Sequence, residues 1–439
     1  MSPPPAPDVA LQPIAATAAG SVVVGAPRST LGDVLARGRM RATLAILGPA
    51  FVASVAYVDP GNFATNFRAG SEHGYLLVWV IVLANLMAVL VQYLTSKLGL
   101  HSARSLPEVC REQYSRRWNA LLWAQAEVIA MATDLAEFTG AAVGLNLVFG
   151  IALFPAGLIT AVVAFIILAL EQRGYRRFEL AIIALLAFVA LGFVVDFFAV
   201  GRQSAAGIAG GLFPRLAGGD TVALTVGIIG ATVMPHVVYL HSALQKNRIR
   251  PVNAREARTL LRFNGLDCTI GLGLAGVVNL VMLCVAAALL HHPGQTGGND
   301  LGPVHAHLAT LVGGGAALAF GVALIASGLS SSSVGTYAGQ VVMAGFMDWR
   351  IPLFLRRAVT MIPSLLVLAF AVNTTQALVY SQVVLSFGIP FALIPLILLT
   401  RRADVMGAMV NRRGTSMAMW AVTGVISALN AVLLIQLIA

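Results

Sequence analysis

The sequence predicts an all-α polytopic membrane protein with eleven transmembrane helices. Of its 439 residues, 58% are hydrophobic and only 10% are charged, whereas a soluble domain carries about 25% charged residues. Eleven apolar windows reach the length of about 20 residues that crosses a bilayer as a helix, and they are numbered here as spans 1 to 11. They cover residues 43–67, 75–97, 119–147, 152–170, 178–200, 221–244, 268–290, 314–345, 354–372, 376–399 and 415–438.

The orientation follows from the distribution of Lys and Arg, which accumulate on the cytoplasmic side of membrane helices. With the N-terminus inside, the basic residues that fall in outer segments are Arg68, Arg202 and Arg215, out of 28 in the chain. A miscounted helix would invert this bias from that point onward. The sequence therefore predicts a multi-pass protein of the cell (plasma) membrane, with a cytoplasmic N-terminus and a C-terminus on the extracellular or periplasmic side.

The segment 1–40 is rich in Pro and Ala, which predicts a disordered cytoplasmic tail. It lacks the charged start and compact apolar core of a signal peptide. The net charge of +10 is explained by orientation and by contact with anionic membrane lipids. No nucleic-acid partner is expected, because no soluble face interleaves basic and aromatic residues. Cys110, Cys268 and Cys284 have no metal-ligand spacing and are expected to be free thiols.

Span 1 contains the stretch AYVDPGNFAT, residues 56–65, in which Asp59 is the one charged residue of the window. Proline and glycine side by side interrupt a helix, and an ionisable group inside a membrane is costly and by default functional. Non-helical backbone survives in the bilayer only where it is buried in protein or lines a cavity. We therefore expect the Ala56 region to supply free carbonyl oxygens beside the Asp59 carboxylate.

Span 3 carries three acids and no Lys or Arg between Asn119 and Phe149. Glu127, Asp134 and Glu137 are separated by seven and three residues, so they share one stripe of a helix, spread over about 15 Å at 1.5 Å per residue. A row of acids on an inward face suits a proton relay. The alternative is a structural ion pair with an arginine at the start of span 9, and the two interpretations are compatible.

Span 6, TVALTVGIIGATVMPHVVYLHSAL, is interrupted at Met234-Pro235-His236. A proline kink alone would account for Pro235, but spans 1 and 6 occupy matching positions in two sets of five helices. Because five is odd, the second set has the opposite orientation, and paired interruptions of this kind are the best sequence indication of a transporter site. The predicted division is repeat 41–200, inverted repeat 201–400 and an extra helix in 401–439.

The ligand class follows from the side chains at the two interruptions. Asp59 offers a carboxylate oxygen and Asn62 an amide oxygen, a pair that alone would suit Mg²⁺ or Ca²⁺. Met234 adds a thioether, which favours softer transition metals, although methionine also fills irregular gaps in packing. With carbonyl oxygens near Ala56 and Ala231, the set indicates Mn²⁺, Fe²⁺, Co²⁺ or Cd²⁺ in a mixed shell.

The histidines divide into two groups. His236 and His241 are five residues apart, which places them about 140° apart on a helix, so they do not face one point. We expect an influence on gating or proton movement rather than ligation, or simple packing. The outer segment HHPGQTGGNDLGPVHAH reads as a solvated Gly-rich loop or as a metal-collecting surface; its histidines are His291, His292, His305 and His307.

These motifs jointly resemble the Nramp family of proton-coupled divalent metal transporters, often called manganese transporters in bacteria. The resemblance rests on DPGN in span 1 and MPH in span 6, and it extends over all eleven spans. Three further stretches agree, namely AEVIAMATDLAEFTGAA (126–142), ASGLSSSSVGTYAGQVVMAGF (326–346) and SQVVLSFGIPFALIPL (381–396).

The resemblance implies the inverted five-helix repeat of the LeuT-like amino acid-polyamine-cation superfamily, with spans 1 and 6 unwound and transport by alternating access. It implies that the Ala231 carbonyl joins the predicted metal ligands and that Gln382 reaches the metal in an occluded state. It also implies that the acids of span 3 and Arg357 form a network that leads toward the cytoplasm. Arg356 could instead be one more of the basic residues that accumulate on the cytoplasmic side.

The predicted function is therefore import of Mn²⁺ and Fe²⁺ coupled to protons, by a monomer that is not an enzyme and has no cofactor. Asp59 is expected to exchange a proton for the metal, with Asp134 as the acceptor. A sodium-coupled amino-acid carrier on the same fold is the first alternative, but span 1 presents an anion where a substrate carboxylate would bind. A cation channel would need rings of acids, and a metalloenzyme would need a ligand set such as HExxH; neither pattern occurs in the spans.

Overall fold

The computed structural model describes residue 36 and residues 48–171, 175–201, 203–246, 249, 251, 253–291, 300–349, 351–370 and 372–438. Within these ranges the regular elements are helices, and no β-strand occurs. The all-α prediction is therefore confirmed for the described residues. The predicted tail 1–40 lies outside the described residues except for Ala36.

The helices follow the predicted windows in chain order. They are α1 Pro49–Ala56, α2 Pro60–His73, α3 Val78–Ser102, α4 Leu106–Gln113, α5 Arg116–Phe149, α6 Leu153–Glu171, α7 Tyr175–Ala199, α8 Ala205–Gly211, α9 Gly219–Thr232, α10 Pro235–Lys246, α11 Ala254–Leu290, α12 Leu301–Leu311, α13 Gly314–Met347, α14 Leu353–Thr360, α15 Ile362–Ala369, α16 Thr374–Thr400, α17 Ala403–Met406 and α18 Arg413–Ile438.

Seven of the described segments are long and apolar enough to cross a membrane, counting α9 and α10 together as one interrupted span. The chain is thus a multi-pass membrane protein, while the count of eleven crossings and the orientation of the termini stay predictions. Spans 1 and 6 are each divided into two helices, α1–α2 and α9–α10, as the sequence predicts.

The interrupted helices lie at the centre of the bundle. The α9–α10 segment is almost wholly buried, whereas α18 is mostly exposed, as expected for a peripheral helix that contacts lipid. Glycines allow the inner helices to pack backbone to backbone: a Cβ on Gly70 of α2 would lie 2.4 Å from the Leu283 carbonyl of α11, and one on Gly99 of α3 would lie 2.1 Å from the Ser242 carbonyl of α10.

Two predicted segments differ from the structure. Span 9 is not continuous, because α14 ends at Thr360 and α15 begins at Ile362; Pro363 lacks the N–H that would bond the Val359 carbonyl. The predicted outer loop also contains a helix, α12, whose residues Leu301, Val304 and Leu308 are buried. Their helical spacing gives α12 an apolar face that packs inward, so the interpretation of this segment as a loop was wrong there.

Candidate metal-binding site

The interruption of span 1 is built by its own sequence. Pro60 has no N–H to donate to the Ala56 carbonyl four residues earlier, so α1 ends there. Asp59 then caps the N-terminus of α2 by accepting a hydrogen bond of 2.7 Å from the Asn62 N–H to its Oδ1, as aspartate commonly does. The carboxyl is 1% exposed, and its Oδ2 has no hydrogen-bond partner among the described residues.

The interruption of span 6 repeats this device. Helix α9 ends at Thr232 and α10 begins at Pro235, leaving Val233 and Met234 outside regular helix. Pro235 stands four residues after Ala231 and again offers no N–H to that carbonyl. Both breaks therefore release a carbonyl oxygen inside the protein, and Ala231 and Met234 are both buried.

The two breaks meet at the side chain of Asn62. One terminal amide atom of Asn62 lies 2.6 Å from Asp59 Oδ1, 3.2 Å from the Ala231 carbonyl oxygen and 3.3 Å from the Tyr57 carbonyl oxygen. If this atom is the amide nitrogen, it donates to all three oxygens. If it is Oδ1, four oxygens converge, and Asn62 Oδ1 itself receives only the long hydrogen bond of 3.4 Å from the Asp59 N–H among the described residues. The Asn62 N–H still donates to Asp59 Oδ1 and Asn279 donates to the Tyr57 carbonyl, but a cation or a proton would relieve the repulsion between Asn62 Oδ1 and Asp59 Oδ1 at 2.6 Å.

In one orientation, the Asn62 amide nitrogen donates hydrogen bonds to the surrounding oxygens. A rotation of the amide instead turns its oxygen toward them, which produces a group of oxygen ligands for a cation. The donors at the two breaks are a carboxylate, an amide, carbonyls and, from Met234, a thioether. No group of three or more His, Cys, Asp or Glu residues is arranged to hold a metal among the residues that the structure describes. A mixed set of this kind fits the predicted borderline divalent ions better than Zn²⁺, which prefers imidazole and thiolate.

Gln382 of α16 lies against both breaks. A Cβ on Gly61 would lie 1.9 Å from Gln382 Nε2, and a Cβ on Gly230 would lie 1.9 Å from the Gln382 carbonyl oxygen. The Gln382 side chain is fully buried, and its Oε1 has no hydrogen-bond partner among the described residues. The structure therefore brings the predicted residue next to the DPGN motif, with an unused amide oxygen.

The sequence did not indicate the residues that hold the first break open. Asn279 of α11 donates 2.8 Å to the Tyr57 carbonyl, and Ser327 of α13 donates to the Val58 carbonyl. The Tyr57 hydroxyl accepts a hydrogen bond of 2.7 Å from Gln92 Nε2 of α3. An available signal was the presence of Gln92 and Asn279 inside otherwise apolar windows.

The three acids of α5 form one row, as predicted. Glu137 is 1% exposed and interacts electrostatically with Asp134 on one side and with Asp59 on the other. Asp134 is buried and interacts with Arg357 and Arg356. Glu127, at the far end of the row, forms an ion pair of 2.9 Å with Arg356. The row therefore extends from the candidate metal ligand Asp59 to a buried ion pair.

The two arginines at α14 have different partners. Arg357 is 1% exposed, donates to the carbonyl and hydroxyl oxygens of Ser332, and lies over the Phe138 ring at 5.2 Å from its centroid. Arg356 is 7% exposed, and its ion pair with Glu127 gives it a defined partner inside the protein. The acids and both arginines thus form one connected cluster, in which an ion pair and a candidate proton relay coexist.

The histidines do not point to one centre. His236 Nδ1 lies 3.2 Å from the Thr133 hydroxyl of α5, whereas His241 Nδ1 lies 3.0 Å from Gln92 Oε1 of α3. Both are buried. Among the outer histidines, His291 Nδ1 lies 3.1 Å from the Ser71 carbonyl and His305 lies beside the Phe320 ring, so they are dispersed; His292 lies outside the described residues.

Known proteins are similar to this chain over most of its length. Residues 50–436 match the family described as natural resistance-associated macrophage protein-like, Nramp. The Divalent metal cation transporter MntH of Deinococcus radiodurans is 48% identical over 91% of this chain and 91% of its own length. The MntH protein of Bacillus subtilis is 46% identical over 94% of this chain and 98% of its own length.

Solved structures give the same result. The manganese transporter of Eremococcus coleocola, in complex with an aromatic bis-isothiourea substituted compound, superposes with a TM-score of 0.82 and 32% identity over 93% of this chain and 88% of its own. The nucleobase-cation-symport-1 transporter MHP1 superposes with a TM-score of 0.59 at 16% identity, over 89% of this chain and 90% of its own. This second likeness concerns the fold alone.

Proposed function

The chain belongs to the Nramp family of metal ion transporters, which are not enzymes, and from this premise we propose that it imports Mn²⁺ and Fe²⁺ together with protons by alternating access. The observation that carries the proposal is the meeting of the two breaks at Asn62. The Asp59 carboxylate, the Asn62 amide and the carbonyl oxygens of Ala231 and Tyr57 converge there inside the protein. Burying polar groups together in this way is costly unless they are satisfied, which supports a role in binding a ligand.

The proposed ligands are Asp59, Asn62, Met234 and the Ala231 carbonyl, with the Ala56 carbonyl and Gln382 joining as the protein changes conformation. Oxygen donors alone would favour Ca²⁺ or Mg²⁺, so the Met234 sulfur is what selects Mn²⁺, Fe²⁺, Co²⁺ and Cd²⁺. The metal is the transported substrate, and no cofactor takes part.

Proton coupling follows from the chemistry of the carboxylate. A carboxylate that binds metal is deprotonated, so metal binding releases any proton held by Asp59. Glu137 and Asp134 are the neighbouring acids on α5, and a row of buried acids is able to pass a proton inward. Glu127 with Arg356, and Arg357 beside Asp134, are proposed as the cytoplasmic end of this path. His236 and His241 influence gating without binding metal.

In the proposed cycle, spans 1 and 6 tilt relative to the rest of the bundle, which closes the outer path to the metal and opens the inner one. We retain residues 41–200 and 201–400 as the two inverted repeats, a cytoplasmic N-terminus and a monomeric transport unit within this proposal. An amino-acid carrier on the same fold is disfavoured, because Asp59 would repel the substrate carboxylate at the first break.

The test is uptake of Mn²⁺ and Ca²⁺ into proteoliposomes with and without an inward pH gradient. Asp59→Ala should abolish Mn²⁺ uptake, and intact uptake would refute the site. Met234→Ala should raise Ca²⁺ uptake relative to Mn²⁺ by about tenfold, a change that corresponds to about 1.4 kcal/mol of selectivity. Met343→Ala in α13 is the matched control, because this buried methionine is outside the proposed site.

A further inference from the structure

The segment GTYAG of α13, residues 335–339, has no chemical role in the transport cycle described above. Its second glycine lies under a buried guanidinium. A Cβ on Gly339 would lie 1.8 Å from Arg356 Nη1, 2.1 Å from Nη2 and 2.2 Å from Cζ. The guanidinium of Arg356 therefore lies in contact with the bare backbone of α13, in the space that any other side chain would fill.

That contact fixes a buried ion pair. In this position beside Gly339, Arg356 places its Nη2 2.9 Å from Oε2 of Glu127 in α5. The Arg356 side chain is 7% exposed and the Glu127 side chain is 14% exposed. Arg356 Nε has no hydrogen-bond partner among the described residues. A buried ion pair is favourable only when its geometry is good, so the position of Gly339 decides whether Arg356 and Glu127 remain paired.

Gly335, one turn earlier on α13, has the same relation to an acid. A Cβ there would lie 2.9 Å from Glu137 Oε2 and 3.0 Å from Oε1, so this carboxyl also lies against bare backbone. The groups facing it are Asp134 on its own helix, Asp59 from the first break, Arg357 from α14 and Ser331 from α13. Since Gly335 and Gly339 are four residues apart, they share one face of α13, and that face borders the charged row.

We propose that Gly335 and Gly339 are positioning residues for the proton path. Because Gly339 has no side chain, it leaves the space in which the Arg356 guanidinium contacts Glu127. This inference rests on the proposed function and adds to it the element that sets the geometry of the charged row. An added methyl at Gly339 forces the guanidinium to move by about 1 Å or more, because nonbonded carbon and nitrogen do not approach within about 3 Å. This movement displaces the guanidinium from its contact of 2.9 Å with Glu127 and weakens the ion pair, while no metal ligand is altered.

The experiment is a double-substitution cycle of Gly339→Ala and Arg356→Lys, read by Mn²⁺ uptake driven by a pH gradient. Gly339→Ala alone should lower the maximal uptake rate about tenfold with KM within about twofold, since the metal site is untouched. In the Arg356→Lys background, Gly339→Ala should lower the maximal uptake rate by less than about twofold. Lysine retains the positive charge but lacks the planar guanidinium that fills the space beside Gly339.

Gly315→Ala is the matched control, because Gly315 lies at the start of the same helix and an added Cβ there meets nothing within 4 Å. Thermal unfolding of the purified variants gives the same cycle in a second readout, which remains informative if a variant transports too slowly to measure. Coupling between the two positions in both readouts supports the inference. An equal effect of Gly339→Ala in both backgrounds overturns it.

The inference and the proposed function fail in different ways. Uptake that is lost in Asp59→Ala but is unchanged in Gly339→Ala overturns the role of Gly339 and leaves the metal site intact. Uptake that persists in Asp59→Ala overturns the proposed function itself. A raised KM with an unchanged maximal rate in Gly339→Ala also contradicts the inference, because it would connect Gly339 to metal binding.

Discussion

Replacing Pro235 by alanine tests whether the Ala231 carbonyl is a metal ligand. Pro235 begins α10 and lacks the N–H that would bond the carbonyl four residues earlier. Alanine restores that N–H and lets α9 and α10 join as one helix when no metal is present. The Ala231 carbonyl would then be shared between a backbone hydrogen bond and the metal.

The size of the effect follows from the net value of one hydrogen bond. A bond of this type contributes about 0.5–1.5 kcal/mol, which the metal must displace in order to use the oxygen. At about 1.4 kcal/mol per factor of ten, Pro235→Ala should weaken Mn²⁺ binding by about two- to twelvefold. The free energy of unfolding should rise or stay constant, since alanine favours helix over proline.

The assay is calorimetric titration of purified protein with Mn²⁺, with thermal unfolding measured on the same samples. Pro395→Ala is the matched control, because Pro395 is a buried proline inside α16 whose replacement also restores a backbone N–H but directs it at no proposed ligand. If Pro235→Ala binds Mn²⁺ as tightly as the wild type, the Ala231 carbonyl is not a ligand and the interpretation of span 6 is wrong.

Two further predictions concern contacts that lie outside the candidate metal site. Asp267 of α11 caps α1 by accepting hydrogen bonds from the Gly48 N–H at 3.0 Å and the Ala50 N–H at 2.9 Å. Asp267→Asn should therefore lower the free energy of unfolding by about 1 kcal/mol. Amide hydrogen exchange in α1 should become about fivefold faster, while exchange in α18 should stay unchanged. Burial alone would raise the pKa of Glu108 in α4, but Lys246, paired with it at 2.7 Å, lowers that pKa below the ordinary value of 4.5. The pair therefore stabilises the fold above pH 4.5 and loses this effect as the pH falls further, so wild type and Glu108→Gln should differ in Tm at neutral pH and converge as the pH falls below the lowered pKa of Glu108.

The features of the site that the sequence predicts are the local ones. The break at Asp59 follows from four consecutive residues, and the break at Pro235 follows from three, so each is visible without knowledge of the fold. The row of acids on α5 also depends only on helical spacing. The proposed ligands at the two breaks were therefore accessible from the sequence. The approach of the Tyr57 carbonyl to the Asn62 amide was not, because a backbone oxygen gives no signal in the sequence.

The supporting contacts depend on tertiary structure and were not accessible. The partner of Glu127 is 229 residues away in sequence, the residue that bonds the Tyr57 carbonyl is 222 residues away, and His241 is 149 residues from Gln92. From the residues alone, Arg356 and Arg357 were both available to pair with the acids of span 3, and the family resemblance favoured Arg357. The placement of α13 beside α5 and α14 decides which of the two arginines has space for its guanidinium to contact Glu127.

Glycine and proline have complementary roles at the two breaks, and this explains why the breaks resemble each other. In each break the proline releases a carbonyl oxygen, Ala56 in the first and Ala231 in the second. In each break a glycine, Gly61 or Gly230, leaves the space that Gln382 occupies. Helix α16 thus contacts both halves of the site through one residue, Gln382, whose side chain lies against Gly61 and whose carbonyl oxygen lies against Gly230.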